Sequence, residues 1–158
     1  MLKKRIHQIE LFMKYPHEVQ NEVLKKLVNQ SKDTFIGKQY DFKSINSYKD
    51  FSERVPARTY EEFFDYIDRT IKGEQNIFCS ENIKWFAQSS GTTNSKSKFI
   101  PVSNSALEDC HFKAGKDMLC LYINNNEDSN IFSGKSLRLG GSRKIYENNN
   151  NYFGDLSA

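Results

Sequence analysis

The chain has 158 residues, 37% of them hydrophobic, which is enough for one domain with its own core and too little for several. Its 23 Lys and Arg against 20 Asp and Glu leave a net charge of +3, interspersed along the chain, which argues against nucleic acid as a partner. Cys79, Cys110 and Cys120 form no CxxC pair and no metal-ligand spacing with His7, His17 or His111, so no metal site is read and the thiols fit a reducing, cytoplasmic setting.

The apolar runs are only a few residues long. The opening "MLKKRIHQIELFMKYP" scatters charges through its apolar positions, unlike a signal-peptide core, and no membrane segment is expected. Leu2, Ile6, Ile9 and Met13 instead recur at helical spacing. Pro16, tolerated at a first helical position, opens a second helix over "PHEVQNEVLKKLV", with Val19, Val23, Leu24, Leu27 and Val28 as its expected buried stripe.

After Gly37, "KQYDFKSINSYKDF" has no clean period and reads as a connector with a short helix at its end. "TYEEFFDYIDRTIKG" is a firmer helix. Thr59 and Glu62 match a capping box, Phe63, Phe64, Ile67 and Ile71 share a face, and Gly73 supplies the stop. "IKWFAQ" and "KFIPV" are short, aromatic and β-branched, and read as two strands joined by a serine-rich loop. Ser103 or Asn104 is placed to cap a following helix with Leu107, Cys110, Ala114, Leu121 and Tyr122 on one side, ending at Asn124 to Asn126. "KSLRLGGS" reads as a strand and tight turn, and "YENNNNY" as an exposed loop. The three histidines sit among polar neighbours and are read as surface or helix-packing residues, not as bases.

The loop itself, "SSGTTNSKSKFIP" from Ser89 to Pro101, carries the chemistry. Phosphate binding asks for converging backbone N–H groups, hydroxyl donors and a cation on a loop with little bulk near its backbone. Ser89, Ser90, Gly91, Thr92 and Thr93 supply the hydroxyls and the flexible backbone, and Lys96 or Lys98 the charge. It is not a Walker A loop, because Ser95 stands where that pattern needs glycine before its Lys-Ser/Thr pair.

This stretch resembles the nucleotide-binding loop of the adenylate-forming superfamily, in particular that of the auxin-responsive Gretchen Hagen family of acyl-acid amido synthetases. "HQIELFMKYPHEVQ", "YDFKSINSYKDFSERVP", "TYEEFFDYI", "KGEQNI" and "IKWFAQSSGTT" are similar in order and spacing to bacterial members. By position, Ser89, Ser90, Gly91, Thr92 and Thr93 match the phosphate-contacting loop, and Lys98 the lysine that closes it. Many relatives have glycine where this chain has Ser95.

The resemblance implies an ATP- and Mg²⁺-dependent ligase that turns a small carboxylic acid into an acyl adenylate and passes the acyl group to an amino-acid amine. It also implies an α+β fold, with N-terminal helices followed by strands flanking the loop. Residues 1–158 are expected to be the N-terminal part of the large adenylate-forming domain, inactive by itself, and the abrupt "GDLSA" end fits that expectation. No catalytic side chain is assigned. The alternative is a shortened, inactive chain that holds nucleotide or phosphate without turnover.

Overall fold

The computed structural model describes residues 2–89, 98–135, 137, 146–148 and 150–155. In chain order its elements are α1 (Leu2–Lys14), α2 (Pro16–Ser31), α3 (Phe35–Gln39), α4 (Tyr48–Arg54), α5 (Tyr60–Ile71), β1 (Trp85–Ser89), β2 (Lys98–Val102), α6 (Lys113–Asn125), β3 (Tyr146–Asn148) and β4 (Asn151–Gly154). A 3₁₀ turn at Phe42–Ser44 and a π-helical stretch at Ala106–Phe112 complete the set. This is the α+β arrangement expected. The chain divides into two units, residues 1–20 with 104–140 and residues 21–103 with 141–158.

In the first unit α1 and α6 are joined by a bidentate ion pair. Arg5 Nε and Nη2 each donate to a different carboxylate oxygen of Asp117 at 2.5 Å. Ile6, on the same helix, is buried, whereas Met13 at the end of the expected stripe is 69% exposed. The helix expected after Ser103 is present, but it runs first through the π-helical stretch Ala106–Phe112. That change of register rotates the later residues, so the single face expected from Leu107 to Tyr122 does not form. Cys110, Leu121 and Tyr122 are exposed, and Asp117, Leu119, Cys120 and Ile123 are the half-buried positions. Asn126 ends α6, as expected.

In the second unit the two capping boxes set the helix starts. Thr59 Oγ1 accepts from the Glu62 N–H while the Glu62 carboxylate accepts from the Thr59 N–H, and Ser47 and Asp50 repeat the arrangement at α4. α5 stops at a Schellman turn. Gly73 takes φ +101°, with its N–H bonded to the Thr70 carbonyl and that of Glu74 to the Arg69 carbonyl. Along α5, Ile67 and Thr70 are buried, but Phe64, expected inside, is 47% exposed. On α2 only Val28 of the expected stripe is buried, with Val23 half exposed and Leu27 56% exposed. A period of 3.6 finds the apolar side of a helix without saying how much of it is covered.

The connector after Gly37 is more structured than expected. Gly37 lies inside α3, whose N-cap Thr34 is fully buried: its hydroxyl donates to the Ser31 carbonyl at 2.7 Å and accepts from the Gly37 N–H at 3.0 Å. The Phe35 and Ile36 N–H groups bond the carbonyls of Asn76 and Ile77, so this helix start is held by a distant segment.

The sheet runs in the order β2-β1-β4-β3. β1 pairs antiparallel with β2 and parallel with β4, and β4 pairs antiparallel with β3. One face packs the core: Phe86, Phe153 and Ile83 are buried, with Ile71, Cys79 and Phe99 against them. Phe86 stacks on Phe153 at 5.2 Å. Trp85, one residue before Phe86 and so on the opposite face, is 42% exposed and stacks on Tyr152 at 4.7 Å.

"YENNNNY" is thus not a loop but the hairpin of β3 and β4. Asn150 at φ +62° occupies the left-handed region that asparagine tolerates, and Asn151 is 4% exposed. Most of the strand and turn read in "KSLRLGGS", including Gly140 and Gly141, lies outside the described residues.

Candidate functional site

The phosphate loop was read between two strands, and both strands form. β1 ends at Ser89 and β2 begins at Lys98, and these two residues are cross-strand partners in the antiparallel register. Directly opposed residues project to the same face of a sheet, so a hydroxyl and an ammonium group flank the mouth of the intervening segment together. Ser90, Gly91, Thr92 and Thr93, along with Ser95 and Lys96, lie outside the described residues. Of the six expected phosphate contacts, the structure therefore places Ser89 and Lys98.

Lys98 is not a solitary surface lysine. Its Nζ lies 3.2 Å from a carboxylate oxygen of Glu61 and 4.9 Å from the centre of the Tyr60 ring, both in the first turn of α5. The Glu61 carboxyl is held below its ordinary range, first by its own backbone N–H and next by the Lys98 ammonium. The group is therefore ionised at neutral pH.

Tyr60 also fixes the strand from which Lys98 projects. Its hydroxyl accepts from the Phe99 N–H at 3.0 Å and donates to the Phe99 carbonyl at 3.3 Å. One side chain thereby satisfies both backbone groups of a residue on β2, an outer strand of the described sheet, as a neighbouring strand would. Arg58, two residues earlier, donates to the Tyr40 hydroxyl at 2.7 Å.

Neither Tyr60 nor Glu61 was legible as a site residue. "TYEE" announces a helix start, and nothing local connects it to a lysine 37 positions later. The histidines behave as expected: His7, His17 and His111 are exposed. Cys79, Cys110 and Cys120 are free thiols, and burial pushes the Cys79 thiol up from its ordinary value, away from nucleophile chemistry.

The donor set fits a polyphosphate: a hydroxyl and an ammonium on one face at the loop's mouth, the ammonium open to solvent on one side. The described residues do not offer a cage for Mg²⁺, since no three His, Cys, Asp or Glu side chains among them converge. No helix among the described residues is long and apolar enough to cross a membrane.

Comparison with known proteins decides the family. The model of the GH3 family N-terminal domain matches residues 5–155. The chain belongs to the GH3 family. Indole-3-acetic acid-amido synthetase GH3.2 of Arabidopsis thaliana is 30% identical over 106 residues, which are 66% of this chain and 19% of that protein. Jasmonoyl–L-amino acid synthetase JAR6 of Nicotiana attenuata is 27% identical over 148 residues, 92% of this chain and 24% of that protein. The solved structure of the acyl acid amido synthetase AtGH3.15 in complex with 2,4-DB matches with a TM-score of 0.83 at 22% identity, over 98% of this chain and 27% of that one. This last likeness shows the α+β fold of a GH3 N-terminal region. The GH3 chain described here thus spans about a fifth to a quarter of the length of the curated relatives named.

Proposed function

We propose that this GH3 chain is the nucleotide-holding N-terminal part of the large domain of an ATP-dependent ligase that joins a small carboxylic acid to an amino-acid amine. The observation that carries the reading is the register of Ser89 against Lys98, which brings hydroxyl and ammonium to the two ends of a Ser/Thr/Gly loop. In this reading Ser89, Ser90, Gly91, Thr92 and Thr93 donate to phosphate oxygens and Lys98 closes the set. ATP, when bound, supplies the adenylyl group that activates the carboxylate.

The chain's own residues would hold the triphosphate in line and neutralise the charge that grows on the departing phosphates. No side-chain nucleophile is needed for that task. Mg²⁺ belongs to this proposal only as a companion of the nucleotide's own oxygens, and no step is assigned to it. The acid and amine classes follow the names of the relatives, two of which are synthetases of indole-3-acetic acid and jasmonoyl amides. Those relatives are plant proteins, so the bacterial type and the cytoplasmic setting are parts of the proposal carried by the sequence alone.

A second reading keeps the loop and drops the ligase. In that reading the chain grips ATP or phosphate without turnover. Titration with ATP tests both. Lys98→Ala and, separately, Gly91→Val weaken ATP binding about tenfold without altering the far-UV circular dichroism. Unchanged affinity in both variants removes the loop assignment. ATP–pyrophosphate exchange with a panel of carboxylic acids then separates the ligase from the passive grip.

A further inference from the structure

Lys98 stands at the end of the loop segment, and its contacts with α5 tie it to residues the loop motif does not contain. Tyr60 ties β2 to the helix through both backbone groups of Phe99. Glu61, the next residue, takes the ammonium. We propose that Glu61 is the resting counter-ion of Lys98, which a polyphosphate must displace, so that Glu61 lowers the affinity of the loop by acting through Lys98. The inference rests on the reading of Lys98 as the residue that closes the phosphate loop.

Three features of the structure support it. The helix side of the pair is rigid: the reciprocal Thr59–Glu62 capping box fixes the first turn, and Glu61 lies within it. The lysine side is adaptable, a point charge on a flexible four-carbon stem whose strand is pinned one residue further on. The pair is also open, with the Lys98 and Glu61 side chains 45% and 72% exposed, so an incoming anion can reach the ammonium without unfolding anything.

The physical consequence is a competition. A triphosphate brings several negative charges and many acceptor oxygens to one ammonium, and it outbids a single carboxylate. Until then the Glu61 carboxylate and the negative face of the Tyr60 ring hold the cation at one place beside the loop mouth. Breaking an exposed pair is a small loss, so the effect on binding is a few-fold and falls with salt. Glu62, not Glu61, supplies the capping box, and Glu61→Gln keeps an acceptor oxygen for the Glu61 N–H that its carboxylate takes.

The test is a double-mutant cycle read by calorimetric titration of this chain with ATP and, separately, with inorganic tripolyphosphate. Glu61→Gln tightens both ligands about two- to fivefold at low salt, the gain shrinks at about 0.5 M salt, and the same substitution changes nothing in a Lys98→Ala background. Affinity equal to or weaker than the parent's in Glu61→Gln overturns the inference. So does an equal tightening with Lys98 absent, which would make Glu61 a source of general anion repulsion. A Lys98→Ala chain that binds as tightly as the parent overturns the loop reading instead, and absence of binding by every variant and the parent overturns both.

Discussion

Asn151 donates its side-chain amide to the backbone carbonyl of Ile71 at 2.7 Å, joining β4 to the last turn of α5. The final carbonyls of a helix have no partner within it, and this one is satisfied by a buried side chain 80 positions away in sequence. The same strand lies parallel to β1, which ends at Ser89, so the bond belongs to the framework that carries the strand leading into the serine-rich loop.

Asn151→Ala removes the donor and leaves the Ile71 carbonyl to a poorly hydrated site. A loss of about 1–3 kcal/mol is expected, read as a lower urea midpoint at unchanged slope. Asn151→Asp places an acceptor against an acceptor and is expected to be worse at neutral pH. An unchanged midpoint in both variants would show that the contact carries no stability.

That bond also shows where the sequence stops being informative. "YENNNNY" has the composition of a solvated loop, since asparagine is poor in strands, and it takes pairing with β3 and with β1 to make a strand of its second half. Signals confined to a few neighbours were readable: the Thr59–Glu62 box, the Gly73 stop, and the β-branched and aromatic runs of β1 and β2. The strand ends on either side of the serine-rich loop were legible for the same reason. The contacts of Lys98 and Phe99 with Glu61 and Tyr60 were not, because a helix-start motif has no local mark of the strand it will pin. The π-helical stretch before α6 defeated the helical period in a similar way, by shifting the residues that follow onto another face.

Gly37 is a second position where a tertiary demand hides behind an ordinary residue. It is buried within α3, and a Cβ built there would come 1.9 Å from the backbone carbonyl oxygen of Ser31. Backbone cannot swing aside as a side-chain tip does, and that carbonyl already accepts from the Thr34 hydroxyl. Gly37→Ala, normally favourable inside a helix, is therefore expected to destabilise this chain by about 1–3 kcal/mol. A Tm equal to or above that of the parent would show that the turn between α2 and α3 yields at no cost.

The bidentate bond from Arg5 holds the Asp117 carboxyl below its ordinary range, against a smaller opposing effect of burial. A carboxyl whose folded value is depressed contributes its stabilisation fully above the unfolded value, about 3.9, and loses it as the pH falls through the lower folded value. The packing of α1 on α6 should therefore weaken below about pH 4, while the pair is intact throughout the neutral range. Hydrogen exchange of amides in α1 and α6 reads this locally: protection is expected to fall as the pH drops below about 4, after correction for intrinsic exchange. In Asp117→Asn the protection is lower at neutral pH and its fall with acid is smaller, because the group that binds the proton is gone. Parallel profiles in the two chains would mean that acid acts on this unit through some other group, and that the Arg5–Asp117 pair is a geometric contact without thermodynamic weight.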